Sequence, residues 1–478
     1  MALSREEIVD GLRRLVPAGQ VDTDETRLQD SSADRFRKYE TIFGVFTQPI
    51  PAAIVYAEST EQVSAVLAFA NRHRINVVPR TGRSATEGGL ETAVEDSVVL
   101  DGSRMTHIVS VDPIDMQVTA QCGVSLQVLD DLLAQHGYTT GHSPQSKPLA
   151  QMGGLVATRS IGQLSTLYGG IEDMVVGLEA VLPSGAVVRI KNVPRRAAGP
   201  DVRHIVIGNE GALCFVTEVT VKIFKLPEQR VFLGYALDSM REGFEILREV
   251  MVEGYRPSVA RLYDVPDGSH HFAAIAKDRC VLIFVAEGNA RIAAATAAGV
   301  DELVMARAGV DRLDAAAIET WFGRLNWGPE QVAAEREEIR QTRTIGFTTE
   351  VSGCWSVIHD IYEAVCKRLP AEIPDLEWVG GHSSHSYLNG TNMYFVYYYA
   401  VRDCEPEQEI TKYHNPINAV ICEETLRYGG SIVHHHGIGK ARAPWVRDEY
   451  GSSFVLLETL KRAFDPNGIM NAGTIIPR

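Results

Sequence analysis

The sequence predicts a mixed α+β chain of several domains, and three features carry that expectation. Strand-like alternation and amphipathic helical runs interleave along the chain instead of segregating into blocks. Polar loops containing glycine recur at three separated places, each beside a predicted strand or helix. A length of 478 residues calls for two or three structural units with ample core, at roughly 100–200 residues per domain.

Taken in order, Ser4 followed by Glu7 fits a capping box ahead of Ile8, Leu12 and Leu15, so the chain opens on a helix. From Pro51 the pattern alternates. Ala53 to Tyr56 reads as a strand, Ser59 to His73 as a helix turning Val63, Val66, Leu67 and Phe69 inward, and Ile75 to Pro79 as a second strand. Further strands are expected at 97–100, 107–111, 117–121 and 174–182, with a helix at 124–136. Pro183-Ser184-Gly185 reads as a hairpin turn, followed by strands at 186–190 and 215–224. A boundary falls near Leu226-Pro227-Glu228. Beyond it, 243–252, 291–298 and 315–322 read as helices and 280–286 as a buried strand. A strand-to-helix passage is expected at 350–367 and a long strand with four tyrosines at 391–401. The tail from Asn415 returns to a helix, a histidine-bearing turn and a terminal helix. No internal repeat or low-complexity linker interrupts the chain.

The charge balance narrows the function. With 61 acidic and 46 basic residues the formal net charge is −15, which argues against nucleic acid or an anionic membrane surface as principal partner. Seven scattered cysteines without a C-x-x-C pair predict reduced thiols rather than a metal knuckle. The N-terminus has no apolar signal core and no stretch reaches the ~20 apolar residues of a membrane span. A cytoplasmic enzyme acting on a small molecule is the expectation.

Three loops stand out chemically. The first runs Pro79-Arg80-Thr81-Gly82-Arg83-Ser84-Ala85-Thr86-Glu87-Gly88-Gly89. Turns of this composition aim backbone N–H groups and hydroxyls at phosphate oxygens, and Arg80 and Arg83 would add charge-assisted bonds to a diphosphate. It is neither a P-loop nor a G-x-G-x-x-G turn. The second runs from Gly141-His142-Ser143-Pro144 through Gly153-Gly154 to Gly162, and the third is Gly208-Asn209-Glu210-Gly211. Singly, each also reads as an ordinary turn or a helix–sheet packing site.

The joint order of these loops resembles the FAD-binding domain of the FAD-linked oxidases, the vanillyl-alcohol-oxidase superfamily. The resemblance extends through 158–176, through Val193-Pro194-Arg195 with Gly199-Pro200-Asp201, and through Gly381-His382-Ser383-Ser384-His385-Ser386-Tyr387. The tail Gly430 to Lys440, with His434-His435-His436-Gly437-Ile438-Gly439, completes it. Together these segments look like the alkyl-dihydroxyacetonephosphate synthase branch. The resemblance implies a PCMH-type FAD-binding domain of two subdomains at 51–225, after an N-terminal helical segment at 1–50. It implies an inserted α+β cap at 226–402 and a C-terminal segment at 403–478 returning to the flavin.

For the cofactor, the resemblance implies a diphosphate cradle at Arg80, Thr81, Gly82, Arg83, Ser84, Ala85 and Thr86. It implies further FAD contacts at Pro144, Gly153, Gly154, Thr158, Ser160, Gly162, Glu210, Gly211 and Val216. Relatives usually carry glycines where Thr81 and Arg83 stand, so the cradle here is expected to be tighter or differently charged. Ser84 occupies about the place of the flavin-linking histidine of some relatives, so FAD is expected to be non-covalent.

For catalysis, the resemblance implies Tyr387, His385, His435 and His436, with Arg261 as an anion-holding arginine and Arg195 as an active-site arginine. Side chains alternate along a strand, so at most two histidines of the triplet should reach one pocket. A buried tyrosine near cations can have its phenol pKa lowered, and Tyr387 is taken as such a group. Tyr394, Tyr397, Tyr398 and Tyr399 are read as core. Hydroxy-acid-oxidising relatives place a metal-ligating glutamate and histidine where this chain has His435 and Met393, so no metal is expected. The preferred function is an FAD-dependent dehydrogenase or oxidase passing hydride from a small hydroxylated, anionic substrate to flavin N5. The alternative is a synthase-like transferase working through a flavin N5 adduct without net redox change. The electron acceptor is unassigned and a homodimer stays open.

Overall fold

The computed structural model describes residues 3–478. Helix Arg5–Arg13 begins at Ser4, whose hydroxyl accepts the Glu7 N–H while the Glu7 carboxylate accepts the Ser4 N–H. Its Ile8 and Leu12 are buried with Val55, Val66 and Leu67. They close one face of a four-stranded sheet ordered Val21–Asp22, Ala53–Tyr56, Val98–Asp101, Val77–Arg80. The last three strands are parallel, and helix Thr60–His73, capped by Ser59, makes the crossover. The C-terminal end of Val77–Arg80 thereby opens into the first loop.

A second sheet is antiparallel throughout, ordered Ile108–Asp112, Gln117–Gln121, Phe215–Lys222, Val175–Val181, Val187–Ile190. The third has seven antiparallel strands, ordered Asp311–Arg312, Gln229–Leu237, Cys280–Gly288, Val259–Tyr263, Leu376–Ser383, Gly390–Ala400, Thr344–Cys354. Helices Met240–Val252, Ala290–Met305 and Ile358–Glu372 share a core with one face of this sheet. Met393, Phe395, Tyr397 and Tyr399 point into that core, while Tyr394, Val396 and Tyr398 turn to the opposite face. The same period of two separates Ala260 and Leu262 from Arg261 and Tyr263.

Strands Gln229–Leu237, Val259–Tyr263 and Leu376–Ser383 and helix Pro329–Thr342 had no counterpart in the sequence reading. Leu376–Ser383 shows why. Its Gly380-Gly381 pair lowers strand propensity, yet a Cβ on Gly381 would lie 2.5 Å from the Tyr394 carbonyl oxygen, so close backbone packing demands glycine there. The seven cysteines form no disulfide. Among the described residues no helix is long and apolar enough to cross a membrane.

Phe395 is fully buried at the centre of the seven-stranded sheet's helix-covered face. Phe395→Ala is expected to destabilise the chain by about 3–5 kcal/mol through lost burial and an unfilled cavity, read as a lower urea midpoint.

Candidate functional site

A cavity of about 1030 Å³ opens between one face of the seven-stranded sheet and the ends of the four- and five-stranded sheets. Arg80 through Thr86 of the first loop line it, as do Pro144, Gly153, Gly154, Thr158 and Ser160 of the second and Glu210, Gly211 and Val216 around the third. Three turns far apart in sequence thus face one crevice of the size small-molecule and cofactor sites have. Gly162 does not line it. Its backbone packs so closely on Ser143 that a Cβ would lie 2.5 Å from the Ser143 nitrogen, which makes it a packing position behind the wall.

The cradle's chemistry differs from the sequence expectation. Arg80 is buried and spends its guanidinium on Asp101 (2.6 Å) and the Ser31 hydroxyl (2.8 Å). Arg83 adopts φ +57°, the glycine-like conformation, and its side chain turns out to Asp30 at 2.7 Å. Both arginines are therefore already paired with carboxylates of the protein. Gly82 is required sterically, since a Cβ there would sit 2.5 Å from the Leu149 carbonyl oxygen. Thr81 Oγ1 and Gln151 Oε1 are buried without partners, and both residues line the cavity. Orphaned polar atoms in an apolar-walled cleft fit a ligand rich in oxygen and nitrogen, as FAD is.

At the cap end, Arg261, His385, His435 and His436 line the same cavity. Tyr387 and Arg195 do not. Arg195 is exposed on the segment after strand Val187–Ile190. Tyr387 lies behind the histidines, its hydroxyl 2.8 Å from His434 Nε2. Burial, reinforced by Glu172 and Asp173, pushes its phenol pKa up rather than down. Tyr263, Tyr394 and Tyr398 line the cavity instead, the last two against the expectation of a core position, and Tyr394 holds its hydroxyl 2.6 Å from His435 Nε2. Strand periodicity was the signal that separated it from Tyr397 and Tyr399.

The histidine triplet sits in an irregular turn rather than a strand. Glu350, fully buried, accepts the successive N–H groups of His434, His435 and His436 on Oε1 at 3.2, 2.9 and 2.8 Å. Its Oε2 accepts from Arg442 Nη2 at 2.6 Å and lies 3.1 Å from His436 Nδ1. Glu87 joins from the first loop, 3.1 Å from Arg442 Nε and 3.5 Å from His436 Nδ1. Two carboxylates therefore face one guanidinium and one imidazole. Burial opposes charge on His436, but Glu350 and Glu87 outweigh it and raise the pKa to about 9. Burial would raise Glu350, but Arg442 and His436 hold it well below its usual value. The cluster balances as two anions against two cations.

His435 and His385 are the opposite case. Burial, then the neighbouring His436 for His435 and His435 for His385, drives both well below the usual imidazole range, so both are neutral. His385 Nδ1 pairs with the Ser165 hydroxyl at 2.8 Å. Arg261 is buried, with Nη1 donating to Gln163 Oε1 at 2.6 Å, Nη2 paired with His382 Nε2 at 2.9 Å and Nε unpartnered. His382 is neutral, its pKa lowered to about 4 by burial and Arg261. Its Nδ1 lies 2.5 Å from Asp267 Oδ2, which sets the tautomer that leaves Nε2 as acceptor. Three groupings, His385-His434-His435, Glu87-Glu350-His436 and His359-Asp360-Glu363, bring potential metal-ligand atoms within 4.8 Å of one another.

The FAD binding domain family model matches residues 51–191, and that for the FAD linked oxidases, C-terminal domain matches residues 226–475. The chain is 66% identical, over 100% of its length and 99% of the relative's, to the uncharacterized FAD-linked oxidoreductase YgcU of Escherichia coli (strain K12). It is 24% identical, over 97% of its length and 96% of the relative's, to the D-2-hydroxyglutarate dehydrogenase of Xanthomonas citri pv. viticola. Its fold is that of a solved alkyldihydroxyacetonephosphate synthase, with a TM-score of 0.79 at 21% identity, covering 100% of this chain and 85% of that one.

His436 has a folded pKa near 9 against an ordinary value of 6.5, so its stabilising contribution is full below pH 6.5 and is lost as pH rises through 9. That contribution is about 3 kcal/mol by the linkage relation. Urea midpoints across pH 6–10 are expected to fall more steeply for the native chain than for Glu350→Gln, the difference reporting His436.

Proposed function

The chain belongs to the FAD-linked oxidases and is an FAD-dependent oxidoreductase, and from that premise we propose that its substrate is a small hydroxylated anion oxidised at the hydroxyl-bearing carbon. The observation that carries this reading is the pairing, in one cavity, of a neutral imidazole–phenol couple with two cations. His435 and Tyr394 form the couple; Arg261 and His436 are the cations. FAD, when bound, supplies a two-electron acceptor that takes hydride at N5.

Each protein group has a role that its environment suits. Arg261, oriented by Gln163 and by His382 backed by Asp267, holds the carboxylate or another anionic group and keeps Nε for it. The neutral His435–Tyr394 couple takes the hydroxyl proton. His436, charged and anchored by two carboxylates, donates to the substrate oxygen rather than acting as base. His385, braced by Ser165, forms the wall beside them. The name of the hydroxyglutarate-oxidising relative supports a hydroxy acid. FAD is held without a covalent bond on this reading. The first loop carries Ser84 rather than histidine, and burial pushes the Cys214 thiol, the cysteine lining the cavity, up to about 12, far from a reactive thiolate.

Arg261 and His436 suit a phosphate as well as a carboxylate, which keeps synthase-like transfer as the second reading. Anaerobic mixing separates the two: bleaching of the flavin by a hydroxy acid supports oxidation, and consumption of an acyl-dihydroxyacetonephosphate without net reduction supports transfer. Arg261→Leu is expected to lower kcat/KM by roughly 100-fold through loss of a charge-assisted pair. His435→Ala is expected to slow flavin bleaching by about 10²–10⁴-fold with flavin content retained. Acid precipitation of the native protein is expected to leave the yellow colour in the supernatant.

A further inference from the structure

Tyr387 and His434 stand outside the cavity, yet they join it through unbroken hydrogen bonds. Tyr394 Oη lies 2.6 Å from His435 Nε2, His435 Nδ1 lies 2.8 Å from His434 Nδ1, and His434 Nε2 lies 2.8 Å from Tyr387 Oη. Tyr394 lines the cavity and Tyr387 is partly exposed, followed by Leu388 at 67% exposure. We infer that these four side chains form a proton relay, carrying the proton released by substrate oxidation from the cavity to solvent at Tyr387.

Three features of the geometry support this. A single set of tautomers satisfies every bond with one polarity: Tyr394 donates to His435 Nε2, His435 Nδ1–H to His434 Nδ1, His434 Nε2–H to Tyr387, and Tyr387 to water. The register of the relay is imposed from outside it, because Glu350 grips the backbone N–H groups of both histidines. The His434 ring is also stacked on His385, with centroids 5.2 Å apart and planes at 18°. His436, the third member of the triplet, meets the relay only at its inner end, with Nε2 3.5 Å from Tyr394 Oη, while its Nδ1 faces Glu87 and Glu350.

The relay rests on the proposed oxidation of a hydroxyl, and its proton count follows from that reaction. The hydride leaves carbon with both electrons of its C–H bond for the flavin. The O–H bond breaks, C=O forms, and one proton remains. Tyr394 takes that proton and passes its own to His435. Each N–H or O–H along the chain then shifts one place, and Tyr387 releases one proton to water. No other oxidant or reductant is needed.

The test follows flavin absorbance and a pH-indicator dye together, after anaerobic mixing of the holoenzyme with short-chain 2-hydroxy acids, including D-2-hydroxyglutarate, in weak buffer. In the native enzyme, bleaching and acidification are expected to coincide. Tyr387→Phe removes the outer hydroxyl. With flavin content unchanged, its acidification is expected to lag about tenfold and to recover when imidazole is added as a diffusible proton carrier. If Tyr387→Phe loses flavin, His434→Phe, which keeps the ring stack, serves in its place. Acidification in step with the native enzyme at low buffer overturns the relay while leaving the oxidation reading intact. So does one metal ion per chain in the native protein, since an ion on His385, His434 and His435 would occupy the nitrogen lone pairs the relay uses. Absence of bleaching by every hydroxy acid removes the oxidation reading and the relay with it.

Discussion

The buried quartet of Glu87, Glu350, Arg442 and His436 is the interaction on which the rest of the site depends. Its members come from three remote parts of the chain: the first loop, the cap sheet and the C-terminal segment. Arg442 is fully buried and also donates to the carbonyl oxygens of Glu350 and Ile432. Charges this deep are tolerated only when paired and fully hydrogen-bonded. The pairing ties the seven-stranded sheet and the C-terminal segment to the first loop in one arrangement. Glu210 adds a second tie from the third loop by accepting the N–H groups of Ile438 and Gly439, each at 2.8 Å. The Lys440 and Ala441 N–H groups complete the join on the Glu87 carbonyl oxygen.

The same quartet sets the chemistry beside it. Glu350 does two separable things, gathering three backbone N–H groups on one oxygen and facing a guanidinium and an imidazole with the other. The first shapes the histidine turn; the second decides that His436 is charged. Burial holds His435 and His385 well below the usual imidazole range, and His436 adds to the effect on His435. Three consecutive histidines thus sit in three different environments. His436 faces two carboxylates, His435 lines the cavity against Tyr394, and His434 meets Tyr387 behind it.

The cap sheet contributes through its two-sidedness. One face is covered by helices and the other closes the cavity, so alternate residues on Val259–Tyr263 and Gly390–Ala400 enter different worlds. Arg261 reaches the cavity because it is odd-numbered on a strand whose even positions pack under the helix Met240–Val252. Tyr394 reaches it for the converse reason.

Local pattern alone determined much of this molecule. The capping box at Ser4, the β-α-β entry, the hairpin at Gly185 and the long tyrosine strand follow from short-range periodicity and turn chemistry, which act within a few residues of chain. The three loops and the triplet motif were readable for the same reason, as local composition. Gly162 shows the limit, because packing glycines and ligand-facing glycines look alike until the wall they belong to is formed. Only the tertiary structure could decide that Arg80 and Arg83 are spent on Asp101 and Asp30, that Tyr394 rather than Tyr387 faces the cavity, and which histidine bears charge. Those outcomes depend on carboxylates tens to hundreds of residues away in sequence, Asp101 for Arg80 and both Glu350 and Glu87 for His436, and on burial, which raises or lowers a pKa only after the chain has closed around the group.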